Sequence, residues 1–408
     1  MSEKREGTLL RRDFVKATAI TTAGLVFVKP ESVLGAPANS RLQLGLIGAG
    51  GRGTHDAGVF VSETNTQLTA IADVFRDRLE RAKARLDAQL AKRDRPKIDE
   101  KHLYGGLNGY KDLLASGVDA VLVTSPPWYH PEHLEAAVEA GKHVYCEKPV
   151  ATDVHGAKRV MRAGEKADGK VSIEVGFQLR CSRVYDEVAK RVMRGDIGKP
   201  VSGQVYYHTG ALDDRSRAGE SKDQKRLRNW VFDIALSGDI IVEQNIHCID
   251  IGNWFLGSHP IKAIGTGGQK ARTGLGDCYD HFQVLYTYPD DVQIAFTSTQ
   301  FLKGWGDVAV RIYGTNGVAE IHYDKPNQIT GDNKWESQED PFDGVEGTRV
   351  SRFVNSIMEN KPINSANHGA ESVLSSILGR EATYKGHELT WDQMMRSDQR
   401  FRVKLDIA

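Results

Sequence analysis

The feature that most constrains this chain is a glycine run placed directly after a short apolar stretch. Leu42, Leu44, Leu46 and Ile47 make the stretch, and Gly48-Ala49-Gly50-Gly51-Arg52-Gly53 follows without a break. So short an apolar run reads as a buried strand. A G-x-G-x-x-G between a strand and a helix reads as a dinucleotide-binding turn. Gly48 allows the tight turn, Gly50 lets the backbone approach a pyrophosphate, and Gly53 lets helix and strand pack closely. Gly51 and Arg52 complete the cofactor-facing loop. The helix is expected from about Thr54, with its free N–H groups toward the phosphates.

A lone glycine fingerprint is often only a turn, so its surroundings decide. A second apolar run, residues 68–74, carries Asp73 roughly twenty residues past Gly53, where a carboxylate accepts the ribose hydroxyls. That charge also repels a 2′-phosphate, so NAD is expected. Arg76 and Arg78 follow and supply the NADP alternative. Asp73 is also placed to cap the helix predicted over residues 76–93. Strands and helices then alternate: residues 102–106, 119–125 and 142–148 as strands, 110–116 and 131–141 as helices. Alternation of this kind predicts a parallel, doubly wound sheet with its ligand at the carboxyl ends of the strands. Ser125, Pro126, Glu147 and Lys148 lie at such ends, which places Lys148 beside the nicotinamide half of a dinucleotide.

Composition bounds the partners. Lys+Arg and Asp+Glu both number 54, so no electrostatic footprint for nucleic acid or an anionic membrane is present. The basic stretch at 222–228 reads as a solvated face, or else as a grip on a phosphate or substrate. Arg11-Arg12, a mildly apolar run over 17–28 and Ala36-Pro37-Ala38 read as a twin-arginine export signal over residues 1–38. The apolar run is too short for a membrane span. A periplasmic location is expected, where free nicotinamide cofactor is scarce, so the cofactor is expected to be tightly bound. The four cysteines are scattered and indicate neither a zinc site nor a disulfide framework. Cys146 reads as an inert buried thiol, and no metal is expected. There is no internal repeat and no low-complexity tract.

"LGLIGAGGRG", "DAVLVTSPPWYHPEHLEAAVEAGKHVYCEKP" and "GDIGKPV" resemble the Gfo/Idh/MocA oxidoreductases, a group that includes inositol dehydrogenase and glucose-fructose oxidoreductase. The resemblance spans roughly residues 41–400. It implies an α/β Rossmann domain over 39–151, completed by a strand and helix to about 176. An α+β domain on a large open, mainly antiparallel sheet then covers 177–408. The Tyr-Pro-Asp-Asp at 288–291 and Gly-Thr-Asn-Gly at 314–317 are hairpin signals within it.

The resemblance also implies a site. Lys148 orients and polarises the reacting hydroxyl, and an acid-x-x-x-His pair, here Glu243 and His247 at i and i+4 of one helix, completes it. On the residues alone His247, among Val242, Ile246 and Ile249, is a core histidine; the resemblance makes it the base, with a pKa near neutrality. The family often has Asp where this chain has Glu243, and Gly-Gly where it has Ser237-Gly238-Asp239. Asp250 reads as a structural helix acid. His130 and His133 flank a helix start beside the crevice, with His130 among the cofactor-side positions and packing as the alternative. Gln178 and Arg180 are candidates for substrate contact. Trp230 and Trp305 are placed either to stack on a sugar or to pack. The implied reaction is hydride transfer between a sugar, cyclitol or glycoside and the bound dinucleotide. Two alternatives stand beside it. One is a redox-neutral, NAD-dependent glycosidase on the same fold, although such enzymes carry a Tyr-Pro-Thr-His-Gly type segment where this chain has residues 243–248. The other is a non-catalytic sugar binder. A homodimer or homotetramer is expected.

Overall fold

A computed structural model describes residues 41–324 and 327–407. The expected export signal lies outside the described residues. The first half alternates strictly: β1 (Leu42–Ile47), α1 (Gly51–Glu63), β2 (Thr66–Asp73), α2 (Arg76–Ala91), β3 (Leu103–Gly105), α3 (Gly109–Ala115), β4 (Ala120–Val123), α4 (His130–Glu139), β5 (His143–Cys146), α5 (Val154–Ala167) and β6 (Ile173–Val175). The strands form one parallel sheet in the order β3-β2-β1-β4-β5-β6. All four residues of β4 are buried, as a strand covered by helices on both faces requires. Strand order reverses between β1 and β4, which opens the crevice at their carboxyl ends.

Two local expectations are corrected here. The first helix begins at Gly51, not near Thr54, with Gly50 as its N-cap, so Arg52 sits in the first turn. Asp73 does not cap α2. Phe75 holds that position without a side-chain bond, and Asp73 accepts the Phe75 N–H at 2.8 Å, fixing the turn before the helix.

The second half opens with α6 (Arg183–Met193) and β7 (Pro200–Gly210). Four short helices follow: α7 (Lys222–Arg228), α8 (Ile234–Ser237), α9 (Ile240–Glu243) and α10 (Ile246–Leu256). Strands β8 (Lys262–Gly268), β9 (His281–Thr287), β10 (Gln293–Leu302), β11 (Asp307–Gly314), β12 (Gly317–His322), β13 (Asn327–Gly331) and β14 (Trp335–Ser337) come next. The chain closes with α11 (Val345–Met358), α12 (Ala366–Lys385), β15 (Leu389–Thr390) and α13 (Trp391–Ser397). The nine-stranded sheet runs β14-β13-β12-β11-β7-β10-β9-β8-β15; only the β7–β10 pair is parallel. The expected hairpins join β9 to β10 and β11 to β12. Asp290 and Asp291 adopt φ of 58° and 59° in the first, a conformation Asp tolerates better than most residues. Along β10, Ile294 and Phe296 face the core while Gln293 and Ala295 face outward.

The single helix expected to carry both Glu243 and His247 is two. It breaks at Gln244–Asn245, where both N–H groups turn back to the Ile240 carbonyl (3.0 and 2.9 Å). Glu243 therefore ends α9, and His247 belongs to the first turn of α10. The C-terminal helices return to the first sheet. Ile173 N–H donates to the Ile363 carbonyl at 2.7 Å, and Asn364 reaches Gly164 O at 2.8 Å. One hydrophobic cluster runs through both halves, joining Cys146 and Val175 to Ile240, Val284 and Leu374. It fixes the end of β5 against α9 and α10. No described helix is long and apolar enough to cross a membrane.

Candidate active site

A cavity of about 820 Å³ lies outside the carboxyl ends of β1, β2 and β4. The glycine loop, Asp73, Ser125 and Pro126 line it. The loop has the shape a dinucleotide needs. A Cβ on Gly50 or Gly51 would meet nothing within 4 Å, so the backbone there faces open space. A Cβ on Gly53 would collide with Gly48 O and Thr124 Oγ1, and Gly48 sits at φ +95°. Thr124 Oγ1 ties the loop by donating to Gly48 O at 2.6 Å. Asp73, 8% exposed, accepts Ala49 N–H and Phe75 N–H, each at 2.8 Å. Burial raises its pKa, while Arg78 and the two N–H groups oppose that. These residues fit the ribose and pyrophosphate of a dinucleotide.

Several predicted cofactor residues lie elsewhere. Arg76 is exposed, pairs with Glu80 at 2.8 Å and does not line the cavity; Arg78, two positions on, does. His130 is buried behind the wall. Its ring nitrogens contact Pro149 O (2.7 Å) and Ser125 O (2.6 Å), so it braces Ser125 and does not line this cavity. His133 does line the cavity, with Nδ1 2.9 Å from Ser125 Oγ, and burial pulls its pKa down to about 3.

Just past the end of β5, the Lys148 ammonium donates to Glu243 O at 2.7 Å and pairs with Glu243 Oε1 at 3.4 Å. Glu243 itself lines the cavity. Glu147 points away, 4% exposed, and is held under the loop. Its Oε1 accepts from Arg52 Nε and Nη2, both at 3.2 Å, and its Oε2 accepts from the Lys148 N–H at 3.2 Å. Arg349 of α11, 1% exposed, enters the same cluster. It pairs with Asp56 at 2.6 Å, lies 3.7 Å from Glu147 and also contacts Tyr145 and Glu346. The two guanidiniums hold Glu147 below the usual carboxylate range against burial, which is the largest influence on it. Burial raises Asp56. His55, Asp56 and Glu346 approach closely enough to hold a cation, but Arg52 and Arg349 already pair with both acids.

His247 departs from its expected titration. Burial, and next the Lys148 charge, pull its pKa down to about 3, so the imidazole is neutral across the working range. Its Nδ1 is buried with no partner among the described residues. Arg180 is committed elsewhere, correcting its assignment to substrate. It pairs with Asp250 at 2.9 Å and lies over the Trp254 ring, and Asp250 also takes His368 and Ser372. Asp250 is thus the structural acid anticipated. Gln178 accepts from Arg52 at 3.0 Å. Trp230 lines the cavity, whereas Trp305 is 60% exposed beyond β10. The four cysteines are free, and burial pushes the Cys146 thiol well up.

Further lining residues lie in the β7–α8 connection, where the sequence offered a grip on a phosphate or substrate only as the alternative for 222–228 and gave no reading of Arg215 and Arg217. Arg215, Arg217, Leu227 and Arg228 line the same cavity as the glycine loop. The basic composition of 222–228 was the available signal, but Arg228 is buried, not solvated.

Comparison with known proteins gives a consistent picture. Residues 42–175 match the GFO/IDH/MocA oxidoreductase family with NAD-binding Rossmann fold, and residues 185–320 match the GFO/IDH/MocA C-terminal domain. Myo-inositol 2-dehydrogenase of Thermotoga maritima is 28% identical over 279 residues, 68% of this chain and 74% of that protein. The crystal structure of myo-inositol 2-dehydrogenase from Lactobacillus plantarum superposes with a TM-score of 0.67 at 23% identity, covering 86% of this chain and 99% of that one. Levoglucosan dehydrogenase, in complex with NADH and levoglucosan, superposes with a TM-score of 0.69 at 17% identity, covering 87% and 100%. At these identities the two structures speak for the fold.

Proposed function

Because the chain belongs to the Gfo/Idh/MocA oxidoreductase family, we propose that it interconverts a hydroxyl and a carbonyl on a sugar, cyclitol or glycoside, with Lys148, Glu243 and His247 at the reacting carbon. One observation carries this reading: the Lys148 ammonium is fixed on Glu243, which lines a cavity built around a complete glycine fingerprint. The loop from Gly48 to Gly53 holds the pyrophosphate, and Asp73 favours the unphosphorylated ribose of NAD over NADP. A bound nicotinamide supplies the hydride acceptor or donor. His247, neutral at working pH, takes the hydroxyl proton. Lys148 stabilises the charge that develops on the oxygen, and Glu243 fixes the direction of its ammonium.

Arg11-Arg12 and Ala36-Pro37-Ala38 support export by the twin-arginine route, and an exported enzyme of this kind must retain its cofactor. Ile264 and Leu285, 45% and 40% exposed on the outer sheet, support a homodimer or homotetramer. The test is to purify the chain and assay it for bound NAD(H) or NADP(H). It is then incubated with inositols, aldoses and aryl glycosides. Redox change of the cofactor with a polyol or aldose supports the oxidoreductase. Aglycone release without net redox identifies the glycosidase instead. Sugar binding with no cofactor affinity overturns both.

A further inference from the structure

The dinucleotide crevice has a wall that the fingerprint does not supply. Residues 211–230 follow β7, and their Arg215, Arg217, Arg228 and Trp230 line the cavity together with the glycine loop. The segment is braced to keep its shape. Ser221 and Gln224 form a reciprocal cap at the start of α7. Asn229 accepts the Arg215 N–H at 2.8 Å and donates to Asp214 at 2.6 Å. Arg228 also pairs with Glu220.

It is fastened to the Rossmann half at one carboxylate. Asp77, in the first turn of α2, takes Arg217 on Oδ2 and Arg228 on Oδ1, each at 2.6 Å. Arg81 shares Oδ2, also at 2.6 Å. The Arg228 guanidinium lies 3.9 Å from the Phe75 ring centre, two residues past Asp73, and Leu227 packs in the same cluster. The C-terminal tail supports the segment from outside. Asp406 N–H donates to Asp223 at 2.7 Å, and Val403, Leu405 and Ile407 join the cluster of Phe75 and Leu227.

We propose that residues 211–230 are a strap that closes over the dinucleotide and makes it a resident group, with Asp77 as its latch. This rests on the dinucleotide reading of the crevice. Arg215 of the strap lines the cavity with no ion pair among the described residues, so it meets the anionic phosphates as the strap closes. Release requires the Asp77 pairs to part, so the dissociation rate follows the small open population of the strap.

The test loads the full chain with NADH, chases it with excess NAD⁺ and follows loss of nicotinamide fluorescence. Asp77→Asn and Arg217→Ala are expected to raise the dissociation rate about tenfold or more. Arg217 is exposed at its side chain, so its variant keeps the test decisive if Asp77→Asn folds poorly. Added salt is expected to speed release from the wild type and to affect Asp77→Asn little. NADH bound by all three proteins, with release rates within about twofold, overturns the strap. Failure of the wild type to bind NADH is a different result: it removes the dinucleotide reading itself.

Discussion

Replacing Arg349 by Met tests whether the charge cluster beneath the glycine loop holds the two halves together. The guanidinium is 1% exposed, and it pairs with Asp56 at 0% and faces Glu147 at 4% exposure. Its removal leaves Arg52 alone against two buried carboxylates. Breaking one partner out of such a buried set costs about 3–5 kcal/mol. The described body lies within residues 41–408. A chain of that size unfolds with an entropy of about 0.8 kcal/mol/K, so the melting temperature falls by about 4–6 °C. Adding Asp56→Asn removes the surplus charge and is expected to recover about half the loss or more.

The pH dependence has a definite sign. Arg349 lowers both Asp56 and Glu147, so its loss raises their folded pKa values. Carboxyls with raised folded values destabilise as pH rises through them. The Asp56 share of the deficit, from a carboxyl that burial already raises, therefore grows as pH rises through neutrality, whereas the Glu147 share, from a carboxyl held below the usual range, persists to pH ~4 and is lost only below it. Circular-dichroism melts of wild type, Arg349→Met and the double variant at neutral and acidic pH read this directly. A single variant melting within about 1 °C of wild type, or an Asp56→Asn change that deepens the loss, refutes the reasoning.

Two further outcomes are expected. Gly53→Ala pushes a methyl into Gly48 O and Thr124 Oγ1, so NADH affinity measured by fluorescence titration falls by about 100-fold or more; unchanged affinity moves the pyrophosphate site away from this loop. His133 and His247 stay neutral to about pH 3 when folded but protonate near 6.5 when unfolded. Stability is therefore full above about 6.5 and declines as pH falls toward 3. His133→Gln is expected to flatten that decline in urea titrations, and an unaltered slope contradicts it.

How far the sequence carried can be seen residue by residue. The glycine loop and Asp73 were legible because the dinucleotide turn is local: strand, turn and acid follow one another along the chain. The place of Lys148 just past the end of β5 was legible because strand and helix alternate along the chain. Arg76 was misplaced by a rotation. Two residues on a helix are about 200° apart, so Arg78 faces the cavity where Arg76 faces Glu80. Arg180 was misassigned because Asp250, 70 residues away, claims it. The Asp56–Arg349 pair spans 293 residues and leaves no local pattern. The break at Gln244–Asn245 has no proline or glycine to announce it, and only packing shows it. His247 does not have its expected pKa, because burial depends on every element around it.

In the proposed reaction Lys148 and His247 act on a substrate hydroxyl beside a bound dinucleotide. The measurement that reaches it most directly is a single turnover of the NAD⁺-loaded chain with a reactive polyol, read as NADH absorbance. Wild type is expected to reduce the cofactor, while Lys148→Met and His247→Ala still bind it and turn over ~100-fold or more slowly. A near wild-type rate in either variant, with cofactor bound, would contradict the assignment of that residue.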